Sequence, residues 1–227
     1  MGKKSKSAAG KSVAKFATIF LERRVKDAPI YTKQINELIG IGRGFAKAGL
    51  LESEREVNAG NLSFRTRAGM VITASGADLA KLKKGDFIEV LDWGSAKAGD
   101  FVFARGAKEP SSESVMHFEI YRARKDVKFI FHGHSGKILK RAKALGLACT
   151  KRQKPFGTPE LAWEALDVLG AEIGNGGGKT KTDFAVMKGH GFLALGKTAK
   201  QAGECALKVQ KLAENAAKSG RKVRGKR

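Results

Sequence analysis

Histidine is scarce in this 227-residue chain, with four copies, and tyrosine, tryptophan and cysteine have two each. Cys149 and Cys205 fit no metal or redox spacing, which excludes a disulfide scaffold and a cysteine-based zinc module. Free thiols suit a reducing compartment, so a cytoplasmic protein is expected. No run approaches the roughly 18 uninterrupted apolar residues of a membrane span, so no membrane association is expected. Residues 1–15 also lack the apolar stretch and cleavage site of a secretory signal. Acid is in deficit: 22 Asp and Glu stand against 44 Lys and Arg, a net charge of +22. The ends hold much of that excess. Residues 1–15 carry five lysines and no acid, and residues 208–227 carry eight basic residues against Glu214. Ends with so little apolar surface read as solvated tails, expected over 1–12 and 218–227, around a single domain over 13–217. Charge alone would attract an anionic polymer, but no recognition motif accompanies it, so nucleic acid is not an expected partner.

Between the tails, apolar spacing predicts a helix from Val13 to about Lys26 and a second from Thr32, as N-cap, to about Lys47. The period then shortens to two. Val57–Arg65, Met70–Thr73, Phe87–Leu91 and Phe101–Ala104 read as strands. Ser111–Ala123 reads as a helix and Val127–His134 as a strand ending in histidines. Helices are expected at Lys137–Leu145, Pro159–Glu172 and Thr198–Ala217, a loop at Gly174–Gly178, and one or two strands within Phe184–Leu195. Helices interspersed with strands, without a repeat, imply one sheet covered on both faces.

Glycine-rich stretches supply three decoys. Gly10-Lys11-Ser12 and Gly178-Lys179-Thr180 end like phosphate loops, but the earlier glycine is replaced by Ser5 and Ile173. Gly40, Gly42 and Gly44 follow a helix, not a strand, and Phe45 stands where a dinucleotide fingerprint needs its last glycine. They read as helix punctuation.

The four histidines are His117, His132, His134 and His190. His132 and His134 are two apart on a strand and share a face, with Gly133 expected to keep the space between them open. His190, between Gly189 and Gly191, lies where backbone can approach closely. Three nitrogen ligands with an open fourth position describe a catalytic zinc site. Spacing by itself leaves open a satisfied pair of strand histidines. Glu113 and His117, four apart, share a helix face. Glu113 follows Pro110-Ser111-Ser112, which suits an anion or an ordinary helix cap equally well.

In order along the chain, Gly60-Asn61-Leu62-Ser63-Phe64-Arg65, Gly69 to Gly76, Pro110-Ser111-Ser112-Glu113, His132-Gly133-His134 and Gly189-His190-Gly191 resemble the class II aldolase/adducin family. The resemblance runs from about Phe45 to Cys205. It implies a three-layer α/β/α domain with a central, largely antiparallel mixed sheet, and a homo-oligomer, most simply a tetramer, with sites between subunits. It also implies Zn²⁺ held by His132, His134 and His190, with Glu113 as base beside the metal. Asn61, Ser75, Gly76, Ser111 and Ser112 match the groups that hold the substrate phosphate. The implied activity is retro-aldol cleavage of a ketose 1-phosphate to dihydroxyacetone phosphate and an aldehyde. Alternatives are a pentose-phosphate epimerase, a dehydratase or a decarboxylase on the same scaffold, or a non-catalytic binding module like the adducin head. His117 occupies a common family position without being a ligand, and a packing or supporting role is expected for it. The family's aldolases carry an acid tyrosine after the paired histidines. This chain has only Tyr31 and Tyr121, so the proton donor is unassigned, and Lys151, Arg152 and Lys154 in that segment read as surface charges.

Overall fold

Seven residues at the centre of the molecule set its layout. In the computed structural model, which describes residues 16–23, 31–52, 59–170 and 181–224, strand β7 (Phe129–Ser135) alternates as a period of two demands. Phe129 and Phe131 face one apolar layer and Ile130 the other. His132 and His134 therefore share the face of Ile130.

The other strands are β1 (Phe16–Glu22), β2 (Leu51–Glu52), β3 (Gly60–Arg65), β4 (Met70–Thr73), β5 (Phe87–Ala96), β6 (Gly99–Arg105), β8 (Phe184–Met187) and β9 (Gly191–Gly196). They form one sheet in the order β1-β6-β5-β4-β3-β7-β9-β8, with β2 pairing β7 off that path. Among the described strands only the β1–β6 and β2–β7 pairs are parallel. Helices α1 (Thr32–Lys47), α3 (Gly136–Arg141) and α5 (Ala199–Arg224) pack on the face carrying Leu62, Phe64, Phe131 and Phe192. Helices α2 (Ser114–Ala123) and α4 (Pro159–Val168) cover the opposite face, with Met70, Ile72, Ile130 and Leu193. The three-layer, largely antiparallel architecture is as expected. Burying such side chains contributes about 1.5–3 kcal/mol each.

Departures from the sequence expectations have local causes. Phe16–Glu22 is a strand, not part of a helix; the remainder of the expected Val13–Lys26 helix, apart from Arg23, lies outside the described residues. Phe16, Ile19 and Phe20 satisfy a helical spacing, yet Phe16, Thr18 and Phe20 satisfy alternation too. The edge of β6 supplies backbone partners from Phe16↔Asp100 to Phe20↔Ala104. Thr32 is not the cap of α1: Tyr31 occupies that position without a side-chain cap bond. The three spaced glycines are no punctuation but lie inside α1. Gly42 is there for contact, since a Cβ would stand 2.3 Å from the Leu79 carbonyl oxygen, whereas Gly40 and Gly44 face open space. α4 stops at Val168, and α5 continues past Ala217 to Arg224. Residues 1–12, the Gly174–Gly178 loop and both phosphate-loop decoys lie outside the described residues. Among the described residues no helix is long and apolar enough to cross a membrane.

Candidate metal centre

Register places the site. β3 pairs β7 with Asn61 opposite His132, and β9 pairs β7 with Phe192 opposite Gly133. His190 sits in the turn between β8 and β9, not in a strand, its N–H donating to the Met187 carbonyl at 3.0 Å. The turn carries its ring back over β7, where the His132 and His190 rings stack with centroids 4.9 Å apart. One ligand atom from each of His132, His134 and His190 lies within 4.8 Å of the others.

The donor set fits a divalent cation. His132 Nδ1–H donates to the Phe192 carbonyl at 2.9 Å, which leaves the Nε2 lone pair facing His134 Nε2 at 2.8 Å. Such a backbone anchor fixes the tautomer of a metal-ligating histidine. Burial pushes His132 down to about 4 and His134 to about 3, so both rings stay neutral, as ligands must.

Glu113, only 4% exposed, closes the site from the start of α2. Its carboxylate meets His190 Nε2 at 2.7 Å and His132 Nε2 at 3.1 Å, and accepts from Asn61 Nδ2 at 2.8 Å. Burial alone would raise its pKa, but the two imidazoles outweigh burial and hold it well below the usual carboxylate range. His190 responds in kind: burial lowers it, but the charge of Glu113 prevails and raises it. With His132 neutral, His190 is the ring that shares a proton with the carboxylate, and a metal entering there would displace that proton.

Two glycines divide the labour differently from the expectation. A Cβ on Gly133 would meet the Leu50 carbonyl at 2.5 Å and the Phe192 ring at 2.6 Å, on the face away from the imidazoles. Gly191 is the residue that keeps the site open: its Cβ would stand 2.6 Å from His132 Cε1 and 2.7 Å from His134 Cδ2.

The expected phosphate groups fall into two adjoining turns and one misfit. An isolated bridge joins Ala74 to Pro110, and Ser111 N–H donates to the Thr73 carbonyl, so Ser75-Gly76 and Ser111-Ser112 are neighbours. Gly76 takes a left-handed φ of +69° with open space around it. Ser111 Oγ accepts from Glu113 N–H at 3.3 Å, and Ser111-Ser112 is a turn preceding α2, which begins only at Ser114. Asn61 is buried and spends one amide hydrogen on Glu113. His117 is fully buried and binds Ser63, clear of the metal ligands.

Phe156, given no role from the sequence, lies parallel to the His190 ring at 6.3 Å and is 44% exposed. A Cβ on the next residue, Gly157, would stand 2.8 Å from the Ser112 carbonyl, which seats this loop against the Ser111-Ser112 turn. Nothing in the spacing of Phe156 announces this.

Residues 36–217 match the family described as the Class II Aldolase and Adducin N-terminal domain. The chain is 30% identical over 195 residues to a 5-methylthioribulose-1-phosphate/5-deoxyribulose-1-phosphate aldolase of Rhodospirillum rubrum, covering 73% of this chain and 77% of that one. It is 32% identical to a methylthioribulose-1-phosphate dehydratase of Acidiphilium cryptum, over 63% of this chain and 57% of the relative. Among solved structures, an L-fuculose-1-phosphate aldolase from Thermus thermophilus superposes with a TM-score of 0.64 at 21% identity. That match covers 85% of this chain and 96% of that one, and at such identity it speaks for the fold alone.

Proposed function

The chain belongs to the class II aldolase and adducin family, and on that premise we propose that it is a zinc-dependent lyase cleaving a ketose 1-phosphate to dihydroxyacetone phosphate and an aldehyde. The observation that carries this reading is the convergence of three imidazoles and one buried carboxylate on a single point. His132, His134 and His190 would hold the ion. When bound, a divalent metal supplies Lewis-acid stabilisation of the negative charge that develops beside the carbonyl. Glu113 moves the proton to and from the carbon next to that carbonyl. Ser75, Gly76, Ser111 and Ser112 would receive the phosphate through hydroxyl and backbone N–H groups, while Asn61, matched to the same role by the sequence, holds Glu113 instead. The intact histidines weigh against a non-catalytic binding module.

The relatives' names support a ketose 1-phosphate with an apolar far end as the substrate. The exposed ring of Phe156 beside His190 supports that choice. They also favour one second reading, dehydration, in which Glu113 removes the hydrogen already on that carbon and the hydroxyl on the next carbon leaves as water. A cytoplasmic homo-oligomer, with the basic ends outside the 13–217 domain, completes the proposal.

The test is to incubate the zinc-loaded protein with 5-deoxyribulose 1-phosphate. Dihydroxyacetone phosphate and acetaldehyde are the expected products, whereas a dicarbonyl formed by loss of water would replace cleavage with dehydration. Glu113→Gln should lower turnover by about 10²–10⁴-fold at similar KM. Exchange of the dihydroxyacetone phosphate proton into heavy water should fall in parallel. Absence of both products and of exchange in the wild type would overturn the reading.

A further inference from the structure

Behind Glu113 lies a buried polar ladder that the proposed chemistry does not use. Asn61 and Ser63, two apart on β3, share a face, and Glu113 and His117 stand one helical turn apart at the start of α2. They meet rung against rung: Asn61 Nδ2 on Glu113 Oε2 at 2.8 Å, and Ser63 Oγ on His117 Nδ1 at 2.7 Å. Ser63 Oγ also meets the Tyr121 hydroxyl at 2.9 Å. Two atoms of the ladder, Asn61 Oδ1 and His117 Nε2, are buried without a hydrogen-bond partner. Both belong to side chains at or below 3% exposure, and an unpaired polar atom in such a place is costly.

The two orphans are complementary. Asn61 must turn its amide nitrogen to the carboxylate, because its oxygen there would face another acceptor, so Oδ1 needs a donor. Burial holds His117 down to about 4, so the ring is neutral with one N–H. The short bonds locate that hydrogen. If Tyr121 donates to Ser63 and Ser63 to His117 Nδ1, every hydroxyl proton is spent on a contact of 2.9 Å or less. The reverse direction ends on the Ile130 or Lys128 carbonyl, each at 3.4 Å. The proton therefore belongs on Nε2. A buried water typically makes two to four hydrogen bonds to polar groups that otherwise lack partners.

We infer that a single buried water joins His117 Nε2–H to Asn61 Oδ1. It completes a donor chain from Tyr121 through Ser63, His117 and Asn61 to Glu113, which makes His117 a positioning residue for Glu113. The water accepts from His117 and donates to Asn61, whose amide then cannot rotate without breaking two bonds. The positioning role rests on the reading of Glu113 as the base; the water and the tautomer do not.

The experiment has two independent arms. A high-resolution crystal structure of the purified full chain should show a spherical peak within hydrogen-bond distance of both atoms, and ¹⁵N NMR of histidine-labelled protein should show His117 protonated at Nε2. An empty site, or a proton on Nδ1, overturns the inference. In the kinetic arm, with 5-deoxyribulose 1-phosphate, His117→Leu should lower kcat about 10-fold or more with KM and metal content unchanged. His117→Gln, whose amide can still donate, should recover most of that loss. Equal rates in wild type, His117→Leu and His117→Gln would remove the positioning role. Equal rates in wild type and Glu113→Gln, with the water present, would instead overturn the assignment of the base.

Discussion

Gly191→Ala tests the centre with the smallest possible change. The backbone there is not left-handed, so an alanine is penalised only by what its methyl group meets. Three atoms crowd that position: the Gly133 carbonyl oxygen at 2.5 Å, His132 Cε1 at 2.6 Å and His134 Cδ2 at 2.7 Å. Ordinary contact begins at 3.4 Å, so each falls short by about 0.7–0.9 Å. The carbonyl belongs to the β7 ladder and cannot yield alone, and His132 is pinned through Nδ1 to Phe192. The strain must therefore move the imidazoles themselves. Overpacking of this kind costs about 1–3 kcal/mol. Ligand distances tolerate only about ±0.2 Å, so metal affinity should fall by about 100-fold, the upper end for disturbing groups around the ligands. Competition against a chromophoric chelator measures the affinity, and urea unfolding of the metal-free protein measures the strain. Gly44→Ala is the control: its Cβ meets nothing within 4 Å, and a helix-interior alanine should raise stability by about 0.5–1 kcal/mol. A Gly191→Ala protein with wild-type affinity and stability would refute the reasoning.

Elemental analysis should find about one divalent ion per chain, lost in both His132→Ala and His190→Ala, since each removes one of three nitrogen ligands. Arg124, 2% exposed, donates to Asp126, Asp183 and the Leu169 and Thr182 carbonyls. It joins the end of α2 to the end of α4 and the start of β8. Arg124→Met should destabilise by about 2–4 kcal/mol in chemical denaturation, chiefly through the charge-assisted hydrogen bonds lost to the two buried carbonyls, because both aspartates remain partly in water. His117 titrates near 4 when folded, against a usual 6.5. Its contribution to stability is therefore complete above pH 6.5 and is lost as the pH falls through about 4, a change of about 3 kcal/mol. Urea midpoints of the metal-free protein at pH 7 and pH 4.5 should differ by less in His117→Gln than in the wild type.

The sequence by itself determined much of the central sheet and singled out the three histidines that the fold brings together. Met70–Thr73 was legible as a strand to the residue because its four side chains are all buried and its flanks are polar turns. His132 and His134 had to share a face because a strand repeats every two residues. The order of five motifs carried the family. Tertiary structure decided what depends on partners far along the chain. Phe16–Glu22 fits two periods, and only the edge of β6 selects the strand. Leu51–Glu52 is too short to have a period and exists as a strand only because β7 lies beside it. Asn61 has the same side chain whether it meets a phosphate or a carboxylate. The register that sets it against His132, within reach of Glu113, gave it to the carboxylate. The glycine that guards the site is Gly191 rather than Gly133, because β9 runs antiparallel to β7 and turns the bare Cα of Gly191 toward the imidazoles. Local spacing fixes the face on which a side chain emerges, but the partner that it meets there is fixed by strand register, which no local stretch of sequence contains.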